Sequence, residues 1–571
     1  MDNLFDVLNK HNFHYDENNK IWSLDKKFDY SDGEDEENYI YEIVKSTNDL
    51  STLSDELEFK IKDWSSLYHF SSQRTNLLEP FRSEWEGKVV LEIGCGCGAF
   101  TRYLAENAKH VIALEGSFRR AKIARERCRG LENVTVVCCN AQEFPLINNI
   151  DTVLLIGVLE YAKKYLGENG EIELLNLCKN QLGDTGKLIL AIENKLGLKY
   201  LVGAKEDHIG ISMYGLNRQY KKADITTYGR VELLKKLKKT GFNFISEYYP
   251  FPDYKFPTTI ISKNALDKNK ENTVFEDMIV QALHKDPQLA GTHYSCSIEQ
   301  MAKNLCENDL IGDNSNSFLM VASKENFEHQ DELIWYYSFL RKRKFSKKIK
   351  FVNLNENIYI KNDISGYELI QSGSNYWCSI HDVLNRVDWS YNELYDYFNK
   401  WFNFVLESSN LEKKYCFNSM ISGVFFEALP FNLLVDGSDL KFIDLDDFFV
   451  KDDCELGYLF YRGVLNSLLR VTSVSHSIYL KDIKIHNISR VILKMRFPTI
   501  TDNIIDNYLM KEVDFLNEVS ILKTKNELLR EMNLVVRLDM DENNRNFNNF
   551  KFVFKYTCSL FFRKIKRIIN V

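Results

Sequence analysis

Short apolar blocks alternate with amphipathic stretches from about residue 58 to residue 266. The blocks at 89–93, 110–114, 134–139, 152–156, 187–192, 244–249 and 257–262 read as strands, with helical stretches between most of them. That alternation predicts an α/β domain: a mainly parallel, doubly wound sheet covered on both faces. Upstream, a helical pattern around Trp64, Tyr68 and Leu77 leads into the first strand. The first fifty or so residues carry the acidic run Asp32-Gly-Glu-Asp-Glu-Glu37, expected to be a solvated loop or a flexible join.

Residues 267–315 are mostly polar with a helical pattern. A second region of α+β texture is expected to open on the strand Phe318-Leu-Met-Val-Ala322. Strand-like pieces follow at 333–339, 347–353, 357–361, 431–435 and 440–444, with helices near 391–407 and 456–470. The organisation read from the pattern is an acidic and helical segment (1–57), the doubly wound domain (58–266), a helical connector (267–315), an α+β domain (316–500), a helical and Asn-rich linker (501–550) and a basic tail (551–571).

A chain of 571 residues has room for about three to four domains, so one motif does not explain it all. The net charge of -8 argues against a general nucleic-acid binder. No apolar run reaches the roughly 18 residues that span a bilayer. Asp2, Asp6, Asp16 and Glu17 interrupt the place where a secretion signal would lie. Of the twelve cysteines, the pairs Cys95/Cys97 and Cys138/Cys139 lack a CxxC or histidine partner at zinc spacing. They read as reduced thiols in a cytoplasmic protein, and no metal site is expected.

The chemistry begins where Val89-Val-Leu-Glu-Ile93 runs into Gly94, Gly96 and Gly98 and then into a helix. Glycines let the chain turn sharply and let a ligand approach main-chain amides at a helix N-terminus. Their spacing fits a nicotinamide dinucleotide as well as S-adenosylmethionine. Glu92, two residues before the first glycine, would repel a diphosphate but suits the amino acid part of a sulfonium cofactor. Glu115 ends the next strand, where a carboxylate can bind ribose hydroxyls; both cofactors want this. Asn140, Ala141 and Gln142 follow the third strand, placed to read an adenine edge. Gly157-Val-Leu-Glu160-Tyr161 follows the fourth.

In order and spacing, residues 64–262 resemble class I S-adenosylmethionine-dependent methyltransferases, with Thr226-Thr-Tyr-Gly-Arg-Val-Glu-Leu-Leu and Thr240-Gly-Phe242 resembling the family's last helix and turn. Trp64, Tyr68-His-Phe-Ser71, Arg74, Asn76-Leu-Leu78, Glu193-Asn-Lys-Leu-Gly-Leu-Lys-Tyr200 and Gly203-Ala-Lys-Glu-Asp-His-Ile-Gly210 resemble bacterial methyltransferases of surface-polysaccharide (O-antigen) assembly. The resemblance implies a Rossmann-like sheet, S-adenosylmethionine as cofactor, and a glycan or lipid-linked glycan as acceptor.

Methyl transfer is an in-line displacement, to which a protein contributes alignment and removal of water. A hydroxyl acceptor also needs a base, for which Glu160, Asp207 and His208 are the candidates. Tyr161 can face the sulfonium charge through its ring. Each has a structural alternative: Glu160 as a rim cap, His208 as a surface histidine, Tyr161 as packing. A phosphate acceptor, already ionised, needs no base, and Lys195 or Arg218 would then matter more.

In the second half, Glu427 is followed five residues later by Asn432 and, after a hairpin, by Asp444; upstream, Tyr359-Ile-Lys361 offers a strand lysine. This spacing resembles the kinase-like module of bifunctional methyltransferase-kinases that cap O-antigen chains, and implies ATP and magnesium. It departs from that pattern in having Glu427 for aspartate, no preceding histidine and no glycine-rich loop. The tail puts Phe554, Cys558, Phe561, Phe562, Ile565, Ile568 and Ile569 on one helical face, with Lys555, Arg563, Lys564, Lys566 and Arg567 elsewhere. That pattern suits an amphipathic helix on an anionic membrane, attaching the protein peripherally to the inner face of the cell membrane. The expected function is methylation of a saccharide hydroxyl or terminal phosphate; the alternatives are a methyltransferase-kinase and a non-catalytic cofactor-binding scaffold at the membrane.

Overall fold

The computed structural model describes residues 2–24, 33–147, 149–222, 224–268, 273–289, 292–327, 332–354, 357–362, 366–370, 373–411, 414–443, 452–479, 484–520 and 524–532. Its main sheet is built from β1 (His14–Asp16), β2 (Ile21–Ser23), β3 (Val89–Ile93), β4 (His110–Glu115), β5 (Val134–Cys138), β6 (Ile150–Ile156) and β7 (Leu182–Glu193). It continues with β8 (Phe244–Phe251), β9 (Thr259–Ser262), β10 (Ser317–Ser323), β11 (Glu332–Tyr337), β12 (Lys348–Leu354), β13 (Asn357–Asn362) and β14 (Gly366–Leu369). The spatial order is β1-β2-β5-β4-β3-β6-β7-β10-β8-β9-β11-β12-β13-β14.

The run β2-β5-β4-β3-β6-β7 is parallel throughout. All six residues of β4 and all five of β5 are buried, as a strand covered on both faces requires. The chain winds from β3 through β4 to β5 on one side and from β6 to β7 on the other. The direction reverses between β3 and β6, and the crevice at their C-terminal ends is where doubly wound sheets take ligands.

Two segments differ from the sequence reading. The strand expected to open the second region, β10, lies inside the first sheet, antiparallel to both β7 and β8. All seven of its residues are buried, as an interior position demands; its apolar pattern carries no information about which strands flank it. β9 is thereby left to pair with β11, so the sheet passes from the first region into the second without a free edge. The acidic run is the second difference. Glu34, Asp35, Glu36 and Glu37 form the first turn of the helix Glu34–Ser46, where carboxylates suit the positive end of the helix dipole. Glu34 accepts a hydrogen bond from Arg119 at 2.9 Å, and the buried Glu37 stands 3.6 Å from the same guanidinium. Asp32 lies outside the described residues.

Beyond β14 the second region is helical around a small hairpin, Leu433–Asp436 with Asp439–Phe442. Twelve of the fourteen residues of the helix Leu456–Leu469 are buried, the pattern of a helix enclosed on all sides. Tyr391–Ser408 packs on it through Trp401, so tightly that a Cβ on Gly463 would stand 2.2 Å from the indole. Asp444 and the tail 551–571 lie outside the described residues.

Candidate active site

The loop leaving β3 turns through Gly94, Gly96 and Gly98, all at positive φ. Gly98 serves packing: a Cβ there would stand 2.8 Å from Ala124 Cα, and it does not line the cavity. Gly94 and Gly96 do line it. At the end of β4 the Glu115 carboxylate is fixed by two backbone donors, Gly96 N–H at 2.8 Å and Ser117 N–H at 3.0 Å. Glu92 is buried behind the loop and accepts from Thr101 Oγ1–H at 2.6 Å. Burial, reinforced by the nearby Glu115, pushes its carboxyl up to about 8.

These groups form one end of a cavity of about 440 Å³ that Asn140 and Ala141 also line. Gln142 does not: its amide points outward and donates to Glu173 at 2.7 Å, because the turn after β5 carries it past the crevice. Of the three residues expected to read an adenine edge, Asn140 and Ala141 are on the cavity wall and Gln142 is not.

The other end of the cavity is built from the turn Leu159–Tyr161 after β6, the end of β7, the loop holding Asp207 and His208, and Tyr254 and Lys255 from between β8 and β9. Glu160 is 1% exposed, which removes it from the rim. Its Oε2 has no hydrogen-bond partner among the described residues. Burial and the neighbouring Glu193 push its carboxyl up to about 8. His208 is nearly buried, its Nε2 3.6 Å from Glu193 Oε2; burial alone would lower its pKa, but Glu193 and Glu160 hold it up at about 9. Tyr161 meets the His208 ring edge-to-face at 5.4 Å.

Asp207 is differently placed. Its Oδ2 accepts from Lys199 Nζ at 3.0 Å and Lys255 Nζ at 2.8 Å. Against the effect of burial these two ammonium groups hold its carboxyl at about 2. That makes Asp207 a weak base whose Oδ2 is engaged by two lysines, although it lines the cavity together with Glu160 and His208. Lys255 also pairs with Glu193 Oε1 at 2.5 Å, and Tyr254 O–H donates to the same oxygen at 3.2 Å. Lys195 is paired with Glu232 at 2.6 Å, and neither it nor Arg218 lines the cavity.

Of the kinase-like residues, the described Lys361, Glu427 and Asn432 line no such cavity. Glu427 is buried and bound by Arg462 Nη2 at 2.8 Å, and Arg462 Nε reaches Glu512 at 3.1 Å. Asn432 Nδ2 donates to the Glu427 carbonyl at 2.9 Å. Lys361 sits on β13, opposite Lys350 and Tyr367 of its neighbours.

Tyr254 and Lys255 were missed from sequence. The only signal is a polar Asp253-Tyr-Lys255 run between two apolar strands, which reads as an ordinary connection.

The loop, the fixed acid at the end of β4 and the strand order define a Rossmann-like α/β ligand-binding domain. Residues 90–169 match the model of a family described as a methyltransferase domain. An (S)-tetrahydroprotoberberine N-methyltransferase of Eschscholzia californica is 33% identical over 82 residues, 14% of this chain and 23% of that protein. An uncharacterized methyltransferase of Anoxybacillus flavithermus is 30% identical over 134 residues, 22% of this chain and 60% of that protein. The chain thus spans under a quarter of the length of such plant relatives. Among solved structures, phosphoethanolamine N-methyltransferase 2 of Haemonchus contortus is 21% identical, covering 50% of this chain and 56% of that one with a TM-score of 0.28. The segment 90–169 is thus similar to a methyltransferase domain.

Proposed function

We propose that the chain transfers the methyl group of S-adenosylmethionine to an oxygen of a saccharide, a hydroxyl or a terminal phosphate, during surface-glycan synthesis. The observation that carries the methyl-transfer part is a single cavity running from the Gly94–Gly96 loop and Glu115 to Glu160 and His208. In this reading Glu115 binds the ribose hydroxyls, Asn140 and Ala141 the adenine, and Glu92 the amino acid end. Tyr161 turns its ring to the sulfonium. The acceptor oxygen attacks the methyl carbon as the carbon–sulfur bond breaks. Neutral S-adenosylhomocysteine leaves, and a hydroxyl's proton passes to the ionised form of Glu160, beside the His208 ring.

The saccharide assignment rests on the family resemblance of the 64–78 and 193–210 segments, and peripheral membrane attachment on the basic amphipathic pattern of 551–571. No helix among the described residues is long and apolar enough to cross a membrane. Phosphoryl transfer with ATP and magnesium is no part of the proposal, because Arg462, itself paired with Glu512, already binds Glu427, the group that would act as its base. Mass spectrometry of glycans from cells with and without the protein tests the acceptor. A methyl group (14 Da) present on a glycan only when the protein is present is expected; identical glycans would reject the saccharide assignment.

A further inference from the structure

Three buried atoms at the acceptor end of the cavity are left without hydrogen-bond partners among the described residues: Glu160 Oε2, Glu193 Oε2 and His208 Nε2. They converge, with one ligand atom from each residue lying within 4.8 Å of the other two. Glu160 and Glu193 are 1% and 0% exposed, so bulk water does not solvate them. Buried polar groups are ordinarily paired, and a convergent unpaired set calls for an occupant.

From this we infer that Glu160, Glu193 and His208 form a site for a divalent first-row cation such as Mn²⁺ or Zn²⁺. Two carboxylate oxygens and one imidazole nitrogen are a common ligand set for such ions. Ligands about 2.1 Å from one ion at a tetrahedral angle stand about 3.4 Å apart; His208 Nε2 and Glu193 Oε2 are 3.6 Å apart. Lys255 engages Glu193 through Oε1, which leaves Oε2 turned to the other two ligands. Three protein ligands leave coordination positions open toward the cavity, where an acceptor oxygen would bind and lose its proton more readily. That role rests on the methyl-transfer reading; the binding itself does not.

Sequence spacing hides the site, because its ligands come from three separate segments, after β6, at the end of β7 and from the loop beyond it. The test is calorimetric titration of the full chain, stripped with chelator, by MnCl₂ and by ZnCl₂ without cofactor. One equivalent of at least one ion should bind, and Glu160→Gln and His208→Asn should each weaken it at least tenfold. S-adenosylmethionine binding by the same samples reports separately on the methyltransferase pocket. Because a variant can fail to fold, pulsed electron paramagnetic resonance of Mn²⁺ on the unaltered chain is the second measurement. It should show coupling to one imidazole nitrogen. Failure of both ions to bind, affinity unchanged in the folded variants, or bound Mn²⁺ without nitrogen coupling would overturn the inference.

Discussion

Two buried clusters of acids in this chain are built from the same residue types and end in opposite states. At the C-terminal ends of β6 and β7, Glu160, Glu193 and His208 each keep one polar atom without a hydrogen bond among the described residues. In the second region Glu427 and Glu512 are closed off: Arg462 bridges them, and Tyr458 O–H and Asn466 Nδ2 complete Glu512, each at 2.9 Å. An unpaired buried polar group costs about 1–3 kcal/mol, so a fold tends to keep one where a ligand completes it. The difference separates a candidate site from a structural ion cluster.

The contrast breaks first at Arg462. Arg462→Ala strands two buried carboxylates and should cost about 3–5 kcal/mol of stability in urea denaturation; a cost under about 1 kcal/mol would mean the cluster is not the closed structural unit described. At Glu160 the prediction inverts. Glu160→Gln replaces a buried acid whose Oε2 has no hydrogen-bond partner among the described residues, so stability should hold or rise while methyl transfer falls by about 10²–10⁴-fold; wild-type turnover in the variant would remove Glu160 from the chemistry.

Two histidines sharpen the comparison. His208 has Glu193 beside it, whereas both ring nitrogens of His381 lack partners among the described residues, and burial pushes its pKa down to about 3. The unfolded chain binds a proton at His381 below about pH 6.5 and the folded chain does not, so stability falls as pH drops from 6.5 toward 3. At pH 5 the loss from this residue should be about 2 kcal/mol, and in His381→Leu the decline between pH 7 and pH 5 should shrink by that amount; an unchanged slope would show that His381 is charged or paired. The smallest effect is expected at Tyr161. Tyr161→Ala should weaken S-adenosylmethionine binding by about 0.5–2 kcal/mol, leaving S-adenosylhomocysteine, which lacks the positive sulfur, nearly unaffected.

The strands were legible because each is a short apolar block: 89–93 is β3 residue for residue, and the helices near 391–407 and 456–470 are Tyr391–Ser408 and Leu456–Leu469. Pairing was not legible. β10 reads the same whether it starts a new region or fills the gap between β7 and β8, since its partners are set by contacts dozens of residues away. At the site, Glu92, Gly94, Gly96, Glu115, Asn140, Glu160 and His208 were found because each leaves a strand end or loop in a fixed order. Glu193 stood in a segment singled out only by resemblance. Lys255 lay in a connection without pattern, and Asp207 was misjudged as a base because its two lysines arrive from other segments. Gln142 shows the limit of position along a turn, since one residue's advance carried its amide to the outer surface.

Calorimetric binding of S-adenosylmethionine to the purified full chain tests the central claim most directly, with Gly96→Arg and Glu115→Ala as partners. A Cβ at Gly96 would already stand 2.8 Å from Arg120 Nη2, and Glu115 carries the carboxylate proposed to bind the ribose. Binding at one equivalent, lost in Gly96→Arg and weakened at least tenfold in Glu115→Ala, is the expected result. A folded chain that binds no S-adenosylmethionine, or binds it equally well in both variants, would contradict it.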